Sequence, residues 1–255
     1  LQIIDLTHGF DDPEAEAVRR ANDIAATPID LATGPVFSCV LMRVAADEHV
    51  LQTTVHHIAG DQWSFGILGR ELGALYNAAR NGHALDLLSP QIRYRDYARW
   101  QQTWLDGPEM ASHLQYWRRT LKNVPALELP TDRQRPRIQT LKGSCCVCEI
   151  PSKLLDKLEQ LGRRESTTLF MTMFAGFATL LHRLSNQTDF AVGVPVANRT
   201  HSAVENVVGT FVNTLALRVD LASDPLFSTL LERVRATTLD AFAHQDVPFD
   251  KIVQD

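Results

Sequence analysis

Between His49 and Arg80 the apolar residues change period. His49-Val50-Leu51-Gln52-Thr53-Thr54-Val55 is rich in β-branched residues and reads as a strand, whereas Phe65, Leu68, Leu72 and Leu75 recur at helical spacing. A strand that hands over to a helix across a short turn belongs to an α/β architecture. Strands and helices continue to alternate along the chain, so the expected class is α/β with at least partly mixed sheets. The turn itself, His56-His57-Ile58-Ala59-Gly60-Asp61, is the one place where two imidazoles and a carboxylate come together.

The remaining elements follow from the same signals. A helix is expected over 13–25, led by Pro13, then strands over 35–45 and 49–57 joined by Ala46-Asp47-Glu48, then a helix over 64–80 ending at Asn81-Gly82. Helices over 93–105 and 108–122 carry Tyr97, Trp100, Trp104, Leu114, Trp117 and Leu121 on inward faces. The run from Leu129 to Arg137 is too rich in proline and charge for a helix or a central strand. It marks 129–142 as a crossover between a first part, 1–128, and a second, 143–255. The second part opens with a strand near 143–150 and a helix over 151–164. Ser166 is expected to cap a helix over 167–184 that is apolar on nearly every face and should run through a core. Strands over 189–196 and 210–219, a helix capped by Asp224-Pro225 and running to about 242, and a loop His244–Asp250 complete the chain. No internal repeat is present.

With 255 residues, 45% of them hydrophobic, the chain can bury one large core or two smaller ones. A net charge of −5 without a Lys/Arg run provides no nucleic-acid footprint. The most apolar stretch, Leu169 to Leu181, is interrupted by Thr172, Gly176 and Thr179 and falls short of the roughly 18 residues needed to span a bilayer. Cys39, Cys145, Cys146 and Cys148 have neither zinc-site nor disulfide-framework spacing. On a strand Cys146 and Cys148 share a face, which suggests packing in a reducing cytosol and a cytoplasmic protein. The chain opens on Leu1 rather than Met, so its natural start is expected upstream.

Successive strand residues point to opposite faces, so His56 and His57 should diverge if the strand runs through both. One would then be structural and the other available for chemistry. The same divergence argues against a metal held by His56, His57 and Asp61. The plainer alternative is two half-buried strand ends. A neutral imidazole can take a proton from an attacking amine, hydroxyl or thiol and return it, which suits acyl transfer. Asp61 could orient an imidazole or pair with an arginine to hold the turn. No Gly-x-Ser-x-Gly elbow or Cys-His pattern supplies a nucleophile, so one bound substrate is expected to attack another directly.

His-His-x-x-x-Asp at a strand end resembles the signature of the chloramphenicol acetyltransferase-like superfamily, and the string through Trp63-Ser64 is similar to condensation domains of non-ribosomal peptide synthetases. Four further strings agree in order: Tyr94 to Gln101, Val192 to Arg199, Gly209 to Arg218 and His244 to Asp250. The resemblance implies two α/β sandwich lobes arranged as a V with a tunnel between them. Donor and acceptor carrier domains would bring acyl or aminoacyl thioesters there on phosphopantetheine arms, with an adenylation domain adjacent. It implies no intrinsically bound cofactor and no metal. It places catalysis on His57, with His56 and Asp61 in support and Arg199 as the arginine that pairs with Asp61; Arg133 and Arg135 are alternatives. Gln62, Trp63, Ser64 and Asn213 are tunnel-lining candidates, and His244, Gln245 and Asp246 suggest a latch or hinge.

The chain departs from the pattern at Gln62, where the family usually has Gly, so easy access to positive φ is lost there. Motifs expected before the His-His segment and after the His244 string are not found, which implies a piece of a larger domain. The expected reaction is amide formation between a donor thioester and an acceptor amine. The rivals are an epimerising, starter-acylating or ester-forming relative, a catalytically silent carrier-binding scaffold, and a stand-alone acyltransferase using coenzyme A. Tyr94, Asp96, Tyr97 and Trp100 are expected to pack rather than react.

Overall fold

The computed structural model describes residues 1–254 apart from 88, 135 and 139–142. Leu1–Gln102 with Arg199–Val212 forms one compact unit, and Thr103–Asn198 with Asn213–Asp255 forms another.

In the first unit, β1 (Gln2–Asp5) is followed by α1 (Pro13–Ala25), β2 (Phe37–Arg43), β3 (His49–Val55) and α2 (Gln62–Arg80). Asp12 starts α1 by accepting from the Ala15 amide at 2.9 Å, with Pro13 in the first turn where a missing N–H costs nothing. β1 pairs parallel with β2 and β2 pairs antiparallel with β3, so the sheet is mixed; Leu41 faces Leu51 in the second ladder. Leu6, Ala17, Val40 and Met42 form the core between this sheet and α1. A second cluster, Val204, Val207 and Phe211 with Ile92, Tyr94 and Tyr97, packs the opening of α3 (Tyr94–Leu105) against the 199–212 segment.

The second unit contains α4 (Pro108–Thr120), α5 (Ser152–Arg164), α6 (Leu169–Ser185), β4 (Asp189–Val196), β5 (Asn213–Asp220), α7 (Phe227–Ala243) and α8 (Phe249–Gln254). β4 and β5 pair antiparallel, and α6, α7 and α4 close the core through Phe174, Leu181, Leu231, Val234 and Trp117.

Several expectations are corrected. Residues 143–150 form no strand, and Cys145, Cys146 and Cys148 are exposed rather than packed. A strand needs a hydrogen-bonded neighbour, and none of the described residues pairs with this segment. α6 is buried on one face only: Met171, Phe174, Ala175, Ala178 and Leu181 are covered, while Phe170, Met173, Phe177, Leu180 and Leu184 are exposed. It packs on α5 and α7, and two neighbours cannot enclose a helix that is apolar all round. Ser166 adopts a left-handed φ of 55° and Thr168 caps α6 instead, accepting from the Met171 amide at 3.2 Å. Asp224, at φ 47°, likewise does not cap α7, whose cap position is Leu226. β1 was not expected: four residues of mixed polarity give too short a pattern.

Candidate active site

β3 ends at Val55, so His56 and His57 lie beyond it. The divergence expected from strand alternation therefore comes from a turn, closed by the Ala59 amide donating to the His56 carbonyl at 2.8 Å. His56 is half-buried. Its amide donates to the Val36 carbonyl at 2.8 Å, and its Nδ1 accepts from the Ile58 amide at 3.1 Å, which places the ring proton on Nε2 of the neutral form. His57 is exposed, and its imidazole makes no hydrogen bond among the described residues. Its carbonyl accepts from the Thr210 hydroxyl. One imidazole thus holds the turn and the other stands open at its surface.

Asp61 begins α2. Its Oδ1 accepts from the Ser64 amide at 2.9 Å, an N-cap bond, while Oδ2 accepts from the Phe211 amide at 3.0 Å. Arg199 Nη2 lies 3.1 Å from Oδ1, and the two side chains are only 5% and 2% exposed, so each charge has the other as its buried counterion. The same guanidinium donates through Nη1 to the carbonyls of Val204 and Val207 at 2.6 and 2.7 Å and lies 4.0 Å from the centre of the Phe211 ring. Burial pushes the Asp61 carboxyl up, but the Phe211 and Ser64 hydrogen bonds and the Arg199 charge outweigh it, so its pKa lies below the ordinary carboxylate value.

Ser64, buried, is the hub of this network. Its hydroxyl is 2.8 Å from both Asp61 Oδ1 and the Gly209 carbonyl, either of which can take its single proton, and it accepts from the Gly209 amide at 3.1 Å. Gly209 leaves no room for a side chain, because an added Cβ would overlap the Tyr94 ring. The Tyr94 hydroxyl donates to the Thr210 carbonyl at 2.7 Å. Residues 209–211 are thereby committed to the turn, and β5 starts at Asn213 rather than at 210.

Gln62 is the first residue of α2, exposed, with no positive φ. The lost glycine freedom expected there is not needed, since a first helical position takes negative φ for any residue. Trp63 is half-exposed and donates from Nε1 to the Glu205 carbonyl at 2.8 Å. Asn213 lies in the second unit, where its amide donates to the carbonyls of Gln245 and Val247 and accepts from the Phe249 amide. Of the alternative arginines, Arg133 is exposed and Arg135 lies outside the described residues. His244 sits against α4, its Nδ1 2.9 Å from Nδ1 of His113 and its ring stacked on Tyr116. Reading the sequence alone missed the contributions of Gly209, Thr210, Phe211 and Tyr94. Two of the recognised strings contain them, but nothing in those strings says that they meet the His-His turn. Among the described residues no group of three or more His, Cys, Asp or Glu could hold a metal ion, and no helix is long and apolar enough to cross a membrane.

A family model described as condensation domain matches residues 1–255. One of the proteins that make up the linear gramicidin synthase of Brevibacillus parabrevis is 46% identical over 243 residues, which is 95% of this chain and 5% of the synthase protein. The X-domain from teicoplanin biosynthesis, solved in complex with OxyB, superposes with a TM-score of 0.87 at 27% identity over 99% of this chain and 56% of that one. The first condensation domain of the calcium-dependent antibiotic synthetase, in complex with a substrate analogue, superposes with a TM-score of 0.81 at 24% identity over 98% of this chain and 57% of that one. That likeness gives the same mixed α/β fold.

Proposed function

This chain belongs to the condensation-domain family, and on that premise we propose that it serves amide-bond formation between a donor acyl or peptidyl thioester and the amine of an acceptor aminoacyl thioester. The observation that carries the reading is the exposed His57 imidazole on a turn fastened by the buried Asp61–Arg199 pair and the Ser64 hydroxyl. The acceptor amine attacks the donor carbonyl, a C–N bond forms and the C–S bond breaks. His57 orients the amine and takes its surplus proton, and the leaving thiolate is protonated in turn. Such proton transfer is worth about 10²- to 10⁴-fold, and holding two reactants end to end contributes more, with effective molarities reaching about 10⁵–10⁸ M. In this reading Asp61 and Arg199 do no proton chemistry; they hold the turn at the helix start.

The partners in this proposal are donor and acceptor carrier domains that bring the thioesters on phosphopantetheine arms, with an adenylation domain to load them. The test is a complete synthetase module containing this domain, with both carriers loaded. His57→Ala should lower the rate of amide formation by about 10²-fold or more; an unchanged rate would remove His57 from the chemistry. A second reading, favoured by the likeness to the X-domain that forms a complex with OxyB, is a scaffold that binds protein partners without turnover. Carrier binding without any product in the wild-type module would select it.

A further inference from the structure

Among the described residues His57 makes one hydrogen bond, its carbonyl accepting from the Thr210 hydroxyl. We propose that Thr210 is a positioning residue for the reaction, which sets where the His57 imidazole stands by holding the carbonyl of the same residue; the inference rests on the condensation reading above.

With no partner of its own among the described residues, the imidazole stands where its backbone puts it. The peptide between His57 and Ile58 is gripped on both sides. Its N–H donates to His56 Nδ1 at 3.1 Å, a bond made inside the turn, and its carbonyl accepts from Thr210, 153 positions away. Thr210 therefore ties this peptide to something outside the turn. That anchor is firm: the Gly209 amide and carbonyl meet the Ser64 hydroxyl at 3.1 and 2.8 Å, and the Phe211 amide donates to Asp61 Oδ2 at 3.0 Å. The Thr210 carbonyl is held in turn by the Tyr94 hydroxyl at 2.7 Å. Both neighbours of Thr210 are thus fastened to the network around the buried Asp61–Arg199 pair, and its hydroxyl carries that fixity to His57. The links at 209 and 211 use backbone groups that nearly every residue supplies. The link at 210 is a side-chain hydroxyl, which Val, of the same shape, lacks. Reacting groups must be held to within about 0.5 Å, and a misplacement of about 1 Å can cost about 10²-fold in rate.

The experiment uses a complete synthetase module containing this domain, with both carriers loaded by their adenylation domains, and reads the single-turnover rate of amide formation. Thr210→Val and Thr210→Ala should each lower that rate by about 10-fold or more. Thr210→Ser, which keeps the hydroxyl, should restore most of the loss. In a His57→Ala background Thr210→Val should lower the residual rate no further, because Thr210 acts through the imidazole. Urea unfolding of each variant checks that it folds, and the Ala variant keeps the test decisive if Val crowds the His57 carbonyl. Wild-type rates in both the Val and Ala variants would overturn the assignment. So would a Ser variant as slow as the Val variant, or an equal loss from Thr210→Val with and without the imidazole. Each of these outcomes leaves the effect of His57→Ala, and amide formation with it, in place. An unchanged rate in His57→Ala alone, or no amide product from the wild-type module, would overturn the condensation reading, and the role of Thr210 with it.

Discussion

Asp61 carries two loads at once: it caps α2 through the Ser64 amide and neutralises Arg199, whose side chain is almost wholly out of water. Asp61→Asn keeps the shape and one acceptor but leaves a buried guanidinium without a counterion, and breaking a buried pair from one side costs about 3–5 kcal/mol. Urea unfolding should register a loss of that order. Asp61→Asn combined with Arg199→Met should cost less than the two single changes added, because the second substitution removes the charge that the first one strands. His57→Ala should behave oppositely. The side chain is exposed and unbonded among the described residues, so stability should stay within about 0.5 kcal/mol of wild type while amide formation falls. A chain in which both substitutions cost stability equally would contradict this division between a residue that holds the turn and one that works on it.

At the scale of elements, α3 meets the 209–211 segment through Tyr94 and Tyr97, whose rings both pack on Phe211, and Tyr94 alone also closes over Gly209. Gly209→Ala drives a methyl into the Tyr94 ring, and overpacking of this kind costs about 1–3 kcal/mol. Trimming Tyr94 to Leu in the same chain should recover part of that loss, measurable as a non-additive unfolding free energy. In the second unit the end of α7 leans on α4 through His244. Burial and the neighbouring His113 push the His244 pKa below its ordinary 6.5, with Asp240 acting to raise it and Arg119 to lower it. The unfolded chain therefore binds this proton more readily than the folded one. The stabilisation is complete above about pH 6.5 and is lost as pH falls below that value. Urea midpoints measured from pH 8 to pH 5 should drop below 6.5, and His244→Phe, which keeps a ring against Tyr116, should flatten that part of the profile.

Local sequence specifies some of these elements and not others. The helices at 13–25 and 108–120 and the strands at 37–43, 49–55 and 189–196 announce themselves through local period and caps, which depend only on neighbours in sequence. The strand expected at 143–150 has the right residues and no pairing partner, a fact that no local pattern contains. Ser166 and Asp224 look like caps by type but sit at left-handed φ, a consequence of how the chain turns into α6 and α7. At the site, His56, His57 and Asp61 are adjacent in sequence and were legible together. The Ser64 hydroxyl bonds Gly209 across 145 positions, and Thr210 reaches the His57 carbonyl across 153; packing alone brings such partners together.

For the whole molecule, acid should act through carboxylates in both units. Thr7 holds the Asp5 carboxyl low by hydrogen bonding, the Ala32 amide does the same for Asp30, and Arg218 does so for Asp189. Hydrogen bonds from Arg19 and Arg20 hold Glu16 at about 2. Asp61 joins them despite its burial. Each of these groups is more acidic in the folded chain than in the unfolded one, where it titrates near 3.8 or 4.5. Their stabilisation is thus present above those values and is lost as pH falls through the folded ones, because the unfolded chain then takes up protons that the folded chain resists. Glu16 and Asp189 act through partly exposed arginine pairs that salt screens, whereas the Asp61–Arg199 pair is shielded from solvent by the chain. The denaturation midpoint should therefore fall steeply between pH 4 and 2, beyond the smaller drop that His244 produces below about pH 6.5. Added salt should shift the part due to Glu16 and its neighbours and leave the part due to Asp61. Asp61→Asn should lower the midpoint at neutral pH and reduce its slope in acid, and it should do so equally at low and high ionic strength. A slope in the Asn variant identical to wild type would show that the buried pair does not contribute to acid unfolding.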